Sequence, residues 1–339
     1  MNVIMLTLYD RKPCIPIMIS LLLLFCYLLC GCQIEPSSYS MNSLCEADGK
    51  SLPSDIIQIG ENMYLIYYSE GIFLSQSKDG CNWIEISIPS KNKDEFMYSA
   101  RFFETTHHQL GLVWSEKSIE KPDTSRFYIS IYEDDEWSSP HLLFQREEII
   151  HIRDAVMLDN GALLILWDEP HYVPQPSLGE NAKGSGCDLT HRAYVLHNEV
   201  YIERVFEPES LTFCLMKGFG FIMENGNIWC IFHYEGEKPR FYRSRSEDGR
   251  VWETPEPFTD AMDGDQILIT PHGEIGILVH NYYQGIAYLY TSSNWESWKK
   301  EVIFKTDDQM KGIILTTGED NTIWGFVSTH PYRYYIRST

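Results

Sequence analysis

Phe241–Trp252 reads FYRSRSEDGRVW, and its core is Ser246-Glu247-Asp248-Gly249-Arg250-Val251-Trp252. The same spelling stands far upstream as Ser77-Lys78-Asp79-Gly80-Cys81-Asn82-Trp83. In each copy a short alternating strand runs into an Asp-Gly turn, and a Trp opens the returning strand. Asp bonds its own downstream amides, Gly accepts the positive φ of a tight hairpin, and a Trp past the turn staples the two strands. One such turn is weak evidence. Two copies, each after an aromatic strand, indicate a repeat.

The second strands of the repeat extend the pattern. They are Met63–Ser69 (MYLIYYS), Leu110–Ser115 (LGLVWS), Ala162–Asp168 (ALLILWD), Asn227–Tyr234 (NIWCIFHY), Glu274–Asn281 (EIGILVHN) and Thr322–Ser328 (TIWGFVS). They recur every roughly 45–65 residues, the period of a four-stranded propeller blade. Near-continuous apolar runs fit strands covered on both faces. A β-sandwich would not explain three strand types repeated at fixed spacing.

The turns resemble the Asp box of sialidase-like (BNR-repeat) β-propellers. Degenerate copies stand at Ser292-Ser-Asn294-Trp-Glu-Ser-Trp298, with Asn for Asp and no Gly, and at Ser130–Trp137, which keeps an acidic turn and the Trp. The expected fold is all-β, a six-bladed β-propeller of four-stranded antiparallel blades. Blades are expected to begin near Asp55, Tyr98, His151, Phe213, Asp263 and Met310. The chain stops one strand short after Tyr332–Arg337, so the N-terminal segment is expected to close the last blade. Residues 1–31 read as a signal peptide, 32–52 as a tether and closing segment, and 53–339 as the propeller.

The signal is built from Arg11 and Lys12, an apolar run from Ile15 to Leu29, and small residues after it. Leu29-Cys30-Gly31-Cys32 resembles a bacterial lipobox, which implies lipidation at Cys32. Gln33 after it implies outer-membrane sorting in a Gram-negative cell. Export makes disulfides possible. Cys187, at the end of the long third-repeat insertion Glu169–Leu189, and Cys214, at the start of the fourth repeat, are the expected pair. Cys230, in an apolar strand, is expected to be a buried free thiol.

A formal charge of -21 argues against nucleic acid and against adsorption to anionic lipid. The expected partners are a carbohydrate or glycoconjugate, with membrane contact through the lipid anchor only and a monomeric chain. No cofactor or metal is expected, because no Cys or His spacing suits one.

The resemblance implies that Asp-box turns are structural and that ligands bind at the opposite face, where first strands start and second strands end. Arg101, His151, Arg153, Glu169, His233, Asp265, His280 and Tyr282 fall there as candidate substrate-binding residues. Asp154 and Asp168 are the candidate acid/base pair, with His171 on a lid formed by the insertion. Carboxylates, imidazoles and a guanidinium in one cleft suit general acid/base work on a sugar. Sialidase activity is not expected, because the first-blade slot Asp55-Ile-Ile-Gln-Ile holds no Arg and the arginine triad is missing as a pattern. A glycoside hydrolase, a polysaccharide lyase or a non-catalytic binding module remain open. His107-His108 falls in a turn on the wrong face.

Overall fold

The computed structural model describes residues 40–44, 52–68, 71–80, 82–89, 95–118, 124–172, 186–197, 199–206, 215–235, 240–259, 264–318, 322–329 and 333–337. Cys32, Cys214 and the side chains of His171 and Cys187 lie outside the described residues. So do residues 173–185 of the long insertion.

The strands are short and consecutive. β1 (Ser40–Leu44) precedes a meander of β2 (Leu52–Ile59), β3 (Asn62–Tyr68), β4 (Ile72–Ser77) and β5 (Ile84–Ile86). The second meander is β6 (Glu95–Glu104), β7 (Leu110–Ser118), β8 (Ser125–Glu133), the two-residue β9 (Glu136–Trp137) and β10 (His141–Arg146). The third is β11 (His151–Met157), β12 (Leu163–Tyr172), β13 (Gly186–Leu196) and β14 (Glu199–Arg204). The fourth is β15 (Leu215–Glu224), β16 (Asn227–Glu235), β17 (Arg240–Ser246) and β18 (Glu256–Thr259). The fifth is β19 (Gln266–Ile269), β20 (Ile275–Asn281), β21 (Ile286–Ser292) and β22 (Lys299–Lys305). The chain finishes with β23 (Met310–Thr317), β24 (Ile323–Thr329) and β25 (Arg333–Arg337), and β1 pairs antiparallel with β25.

These strands form an all-β propeller with four-stranded antiparallel blades. Hydrogen bonding sorts them into five sheets, one fewer than the six repeats of the sequence. The reason lies in one sheet of eight strands. Its third and fourth meanders are joined through a single parallel pair, Asp188 with Leu215. First strands pack in cyclic order: β2 on β6, β6 on β11, β11 on β15, β15 on β19, β19 on β23, and β23 back on β2.

The core sits between meanders. Trp114 and Phe102 pack with Ile66 and Leu74, and Phe127 and Val113 pack with Trp167 and Ile165. Phe241 and Ile231 meet Ile277, and Leu278 and Leu289 meet Ile313 and Val327. Ile56 and Leu65 meet Ile314 and Phe326, which joins the first meander to the last. Burying each such side chain contributes about 1.5–3 kcal/mol. The LLILW run of β12 is wholly buried, as its unbroken apolar reading requires.

The third-to-fourth turns of the first and fourth meanders share one hydrogen-bond scheme. Gly80 N donates to Ser77 Oγ at 2.9 Å, and Gly249 N to Ser246 Oγ at 2.8 Å. Asn82 N donates to Asp79 Oδ1 at 2.8 Å, and Val251 N to Asp248 Oδ1 at 3.0 Å. The Trp83 and Trp252 indoles donate to the Gly80 and Gly249 carbonyls. Gly80 and Gly249 adopt φ of 71° and 78°. Trp295 takes the same turn position at φ 65° without being glycine. Asn294 Oδ1 still accepts from Glu296 N and Ser297 N.

Candidate functional site

The end of the propeller opposite these turns is shaped by irregular first strands. The register slips between Pro53 and Asp55, Met97 and Ser99, Ile152 and Asp154, Gly218 and Gly220, and Met310 and Gly312. Ser54, Tyr98, Arg153, Phe219 and Lys311 stand in those slips, where a bulge re-aims a side chain out of the ladder. Sequence alone does not show a bulge, and so it does not single out Tyr98 beyond a blade start.

Tyr98 meets His151 of the next meander. The phenol oxygen lies 3.2 Å from His151 Nε2 and the ring centroids are 4.9 Å apart. Burial holds the His151 pKa below the ordinary imidazole value, and the Arg153 charge adds to this while Asp168 opposes it. The ring is therefore neutral at pH 7. Arg153 Nε donates to Asp168 Oδ2 at 2.5 Å. Asp168 Oδ1 accepts from Thr190 Oγ1 at 2.7 Å and from Gly218 N at 2.9 Å. Asp168 is 1% exposed, so its carboxylate is held by three donors from three strands.

Glu169 follows the same logic one residue on. Arg146 Nη2 reaches both its oxygens at 3.1 and 3.0 Å, and His191 Nδ1 lies 3.5 Å away. His191 stacks on Trp167 at 5.6 Å, and burial lowers its pKa while Glu169 raises it. Arg146, Thr190 and His191 carried no sequence signal, since they lie on fourth and third strands and meet Asp168 and Glu169 only through the fold.

The remaining candidates separate. Arg101 donates to the Arg153 carbonyl at 2.7 Å, to Ser54 Oγ at 2.7 Å and to the Ala100 carbonyl at 2.7 Å. His233 is buried against Phe241, and Asp265 pairs with His280 at 2.6 Å on a different meander. Tyr282 lies edge-on to the exposed Tyr283. His171 stands in β12 opposite Cys187. Asp154 is not beside Asp168 in role: its Oδ1 accepts from Ala155 N at 2.8 Å and its Oδ2 from Phe221 N at 2.6 Å. It lines a channel of about 760 Å³ together with Asp55, Gln266 and Thr317. Burial raises Asp55 to about 6 and Asp154 to about 7, against an ordinary 3.8. Among the described residues no group of three His, Cys, Asp or Glu could hold a metal ion.

Solved structures share this architecture. The likeness is one of fold. A protein of unknown function from Dyadobacter fermentans superposes with a TM-score of 0.63 at 10% identity, over 89% of this chain and 100% of that one. The Penicillium chrysogenum alpha-L-arabinanase, complexed with arabinobiose, gives 0.59 at 13% identity over 89% and 97%. The intramolecular trans-sialidase of Ruminococcus gnavus gives 0.51 at 10% over 89% and 94%. No protein-family model matches the sequence, and no curated protein matches it.

Proposed function

We propose that this chain is an exported, lipid-anchored propeller that binds a carbohydrate or glycoconjugate at the channel mouth beside the third meander. The observation that carries the reading is the Tyr98–His151 pair, a hydroxyl and an imidazole 3.2 Å apart, next to the anchored guanidinium of Arg153. Aromatic faces pack on the apolar face of a sugar, while the phenol, imidazole and guanidinium serve its hydroxyls or an acidic substituent. A neutral imidazole can also take a proton that a phenol returns, so turnover would run through His151 and Tyr98. Asp154 and Asp168 are engaged by backbone and side-chain donors and serve better as supports. The arabinanase and trans-sialidase likenesses support a carbohydrate ligand on this fold.

The blade count in this reading is six. It is supported by the cyclic packing of first strands, the single bridge dividing the eight-stranded sheet, and the place of β1 beside β25. The anchor is Cys32, after its Leu-Cys-Gly-Cys sequence.

The experiment is a glycan array followed by calorimetry on hits, with reducing-end and unsaturated-product assays on the same ligands. His151→Ala is expected to weaken binding, and to cut any turnover by about 100-fold or more. Tyr98→Phe should cut turnover more than binding. If both variants bind and turn over like the wild type, the site lies elsewhere. The second reading, a non-catalytic binding module, is favoured by the engagement of both carboxylates; binding without product in every assay would establish it.

A further inference from the structure

A histidine of the fifth meander is held by a carboxylate at the mouth end. Asp265 Oδ2 accepts from His280 N at 2.7 Å and lies 2.6 Å from His280 Nδ1. A carboxylate only accepts, so Nδ1 carries the proton and the neutral ring presents Nε2 as a bare acceptor. Asp265 is itself fixed in place. Its N donates to the Leu278 carbonyl at 2.8 Å, and Gly264 before it sits so close to Ile277, Phe241 and Phe219 that a methyl there would press on them. Lys217 of β15 donates to the Gly264 carbonyl at 3.1 Å, which puts an ammonium on the residue beside Asp265.

Two tyrosines follow this dyad in the chain. Tyr282 and Tyr283 are 39% and 89% exposed, with their rings edge-to-face and the centroids 5.2 Å apart. At that exposure the Tyr283 ring contributes little to the core, yet its turn is firmly built. Asn281 Oδ1 accepts from Tyr283 N at 3.1 Å and from Gln284 N at 3.0 Å. Gly285, at φ 59°, closes against the carbonyls of Thr306 and Asp308 with no room for a Cβ, and Thr306 N donates to its carbonyl at 2.9 Å. An aromatic face displayed on a rigid turn binds with little ordering cost.

Both histidine stations belong to one mouth. Residues 154–157 of β11 and 266–269 of β19 line the same channel of about 760 Å³. His151 opens β11, Asp265 immediately precedes β19, and β15 packs between the two strands. We propose that Asp265, His280, Tyr282 and Tyr283 form a second sugar subsite, which takes a neutral unit of an oligosaccharide whose other end lies on Tyr98 and His151. This rests on the carbohydrate reading above and adds that the ligand is a chain rather than a single terminal sugar. Chemistry sets the two stations apart. At Arg153 a guanidinium donates, whereas at the dyad Nε2 and the carboxylate accept hydroxyl hydrogens while the tyrosine rings cover the apolar face of the sugar. The Lys217 charge offsets that of Asp265, so the subsite suits an uncharged unit better than a uronate.

Calorimetry on the full chain tests this with ladders of arabino-, xylo- and manno-oligosaccharides and of oligogalacturonates, each from monosaccharide to hexasaccharide. Affinity for a neutral ladder should rise with length. Tyr283→Ala and His280→Ala should each remove about tenfold of the hexasaccharide affinity and flatten that rise, whereas His151→Ala should lower affinity in parallel at every length. Nitrogen NMR should show a proton on His280 Nδ1 and a shift at Nε2 when the hexasaccharide is added. A rise with length that survives in both variants, or a bare Nδ1, would overturn the subsite while leaving the carbohydrate reading standing. So would binding confined to the oligogalacturonates. Binding of no ladder by the wild type would overturn both.

Discussion

The two ends of each blade obey different rules. At the turn end, Ser77–Trp83, Ser246–Trp252 and Ser292–Trp298 share one backbone path and one acceptor, the side-chain Oδ1 that takes the amide three residues on, even where Asn294 replaces Asp and Trp295 replaces Gly. At the mouth end, the equivalent slipped positions of five first strands carry Ser54, Tyr98, Arg153, Phe219 and Lys311, with no chemistry in common. The turn end repeats because the scaffold repeats. The mouth end does not repeat.

That contrast can be broken at its strongest point first. Asp168→Ala removes a buried carboxylate held by Arg153, Thr190 and Gly218, and leaves three donors facing a void. We expect a loss of about 3–5 kcal/mol in denaturant unfolding. A loss under about 1 kcal/mol would mean that the mouth tolerates change as freely as an ordinary surface.

The turn end offers the next test. Trp295 is buried against Trp229 and Phe258 while holding φ 65°. Trp295→Gly relieves the backbone strain but deletes the ring, for an expected net loss of about 2–4 kcal/mol. If the variant is more stable than the wild type, backbone geometry rather than packing governs this turn.

The smallest effect should come from Asp248→Asn. Backbone bonds from Val251 and Arg250 hold its pKa below the ordinary carboxylate value. Its contribution is therefore present above the ordinary value and lost as pH falls through the lowered one. Asn294 accepts the equivalent amides in the third copy, so the change should stay within about 0.5 kcal/mol at pH 7. It should also flatten any acid-side slope near this turn. A larger loss at pH 7 would show that the charge itself matters.

Legibility follows the same division. Asp79-Gly80 and Asp248-Gly249 were readable because their chemistry is local, spanning three residues. The apolar second strands were readable because burial on both faces leaves an unbroken run. Trp295 was not, since nothing in Asn294-Trp295 announces a positive φ. Tyr98 and His151 are joined across 53 residues by a bulge that sequence does not spell. Asp55 reads in sequence as a blade start and a slot without Arg, and its bond to Phe102 requires the neighbouring strand. Asp154 and Asp168 stand in one meander, but their partners on β13 and β15 set them in different hydrogen-bond networks.

Trp229 and Trp295 have an optical consequence. Their ring centroids are 5.3 Å apart at an interplanar angle of 42°, with the Arg243 guanidinium carbon 4.8 and 4.9 Å from them. Two indoles that close and tilted couple their excited states, which produces an exciton couplet in circular dichroism. One indole belongs to β16 and the other to the turn after β21, so the couplet reports the spacing between two blades. It would fade when that seam opens, even while every strand stays intact, giving a spectroscopic ruler written into the chain without a label.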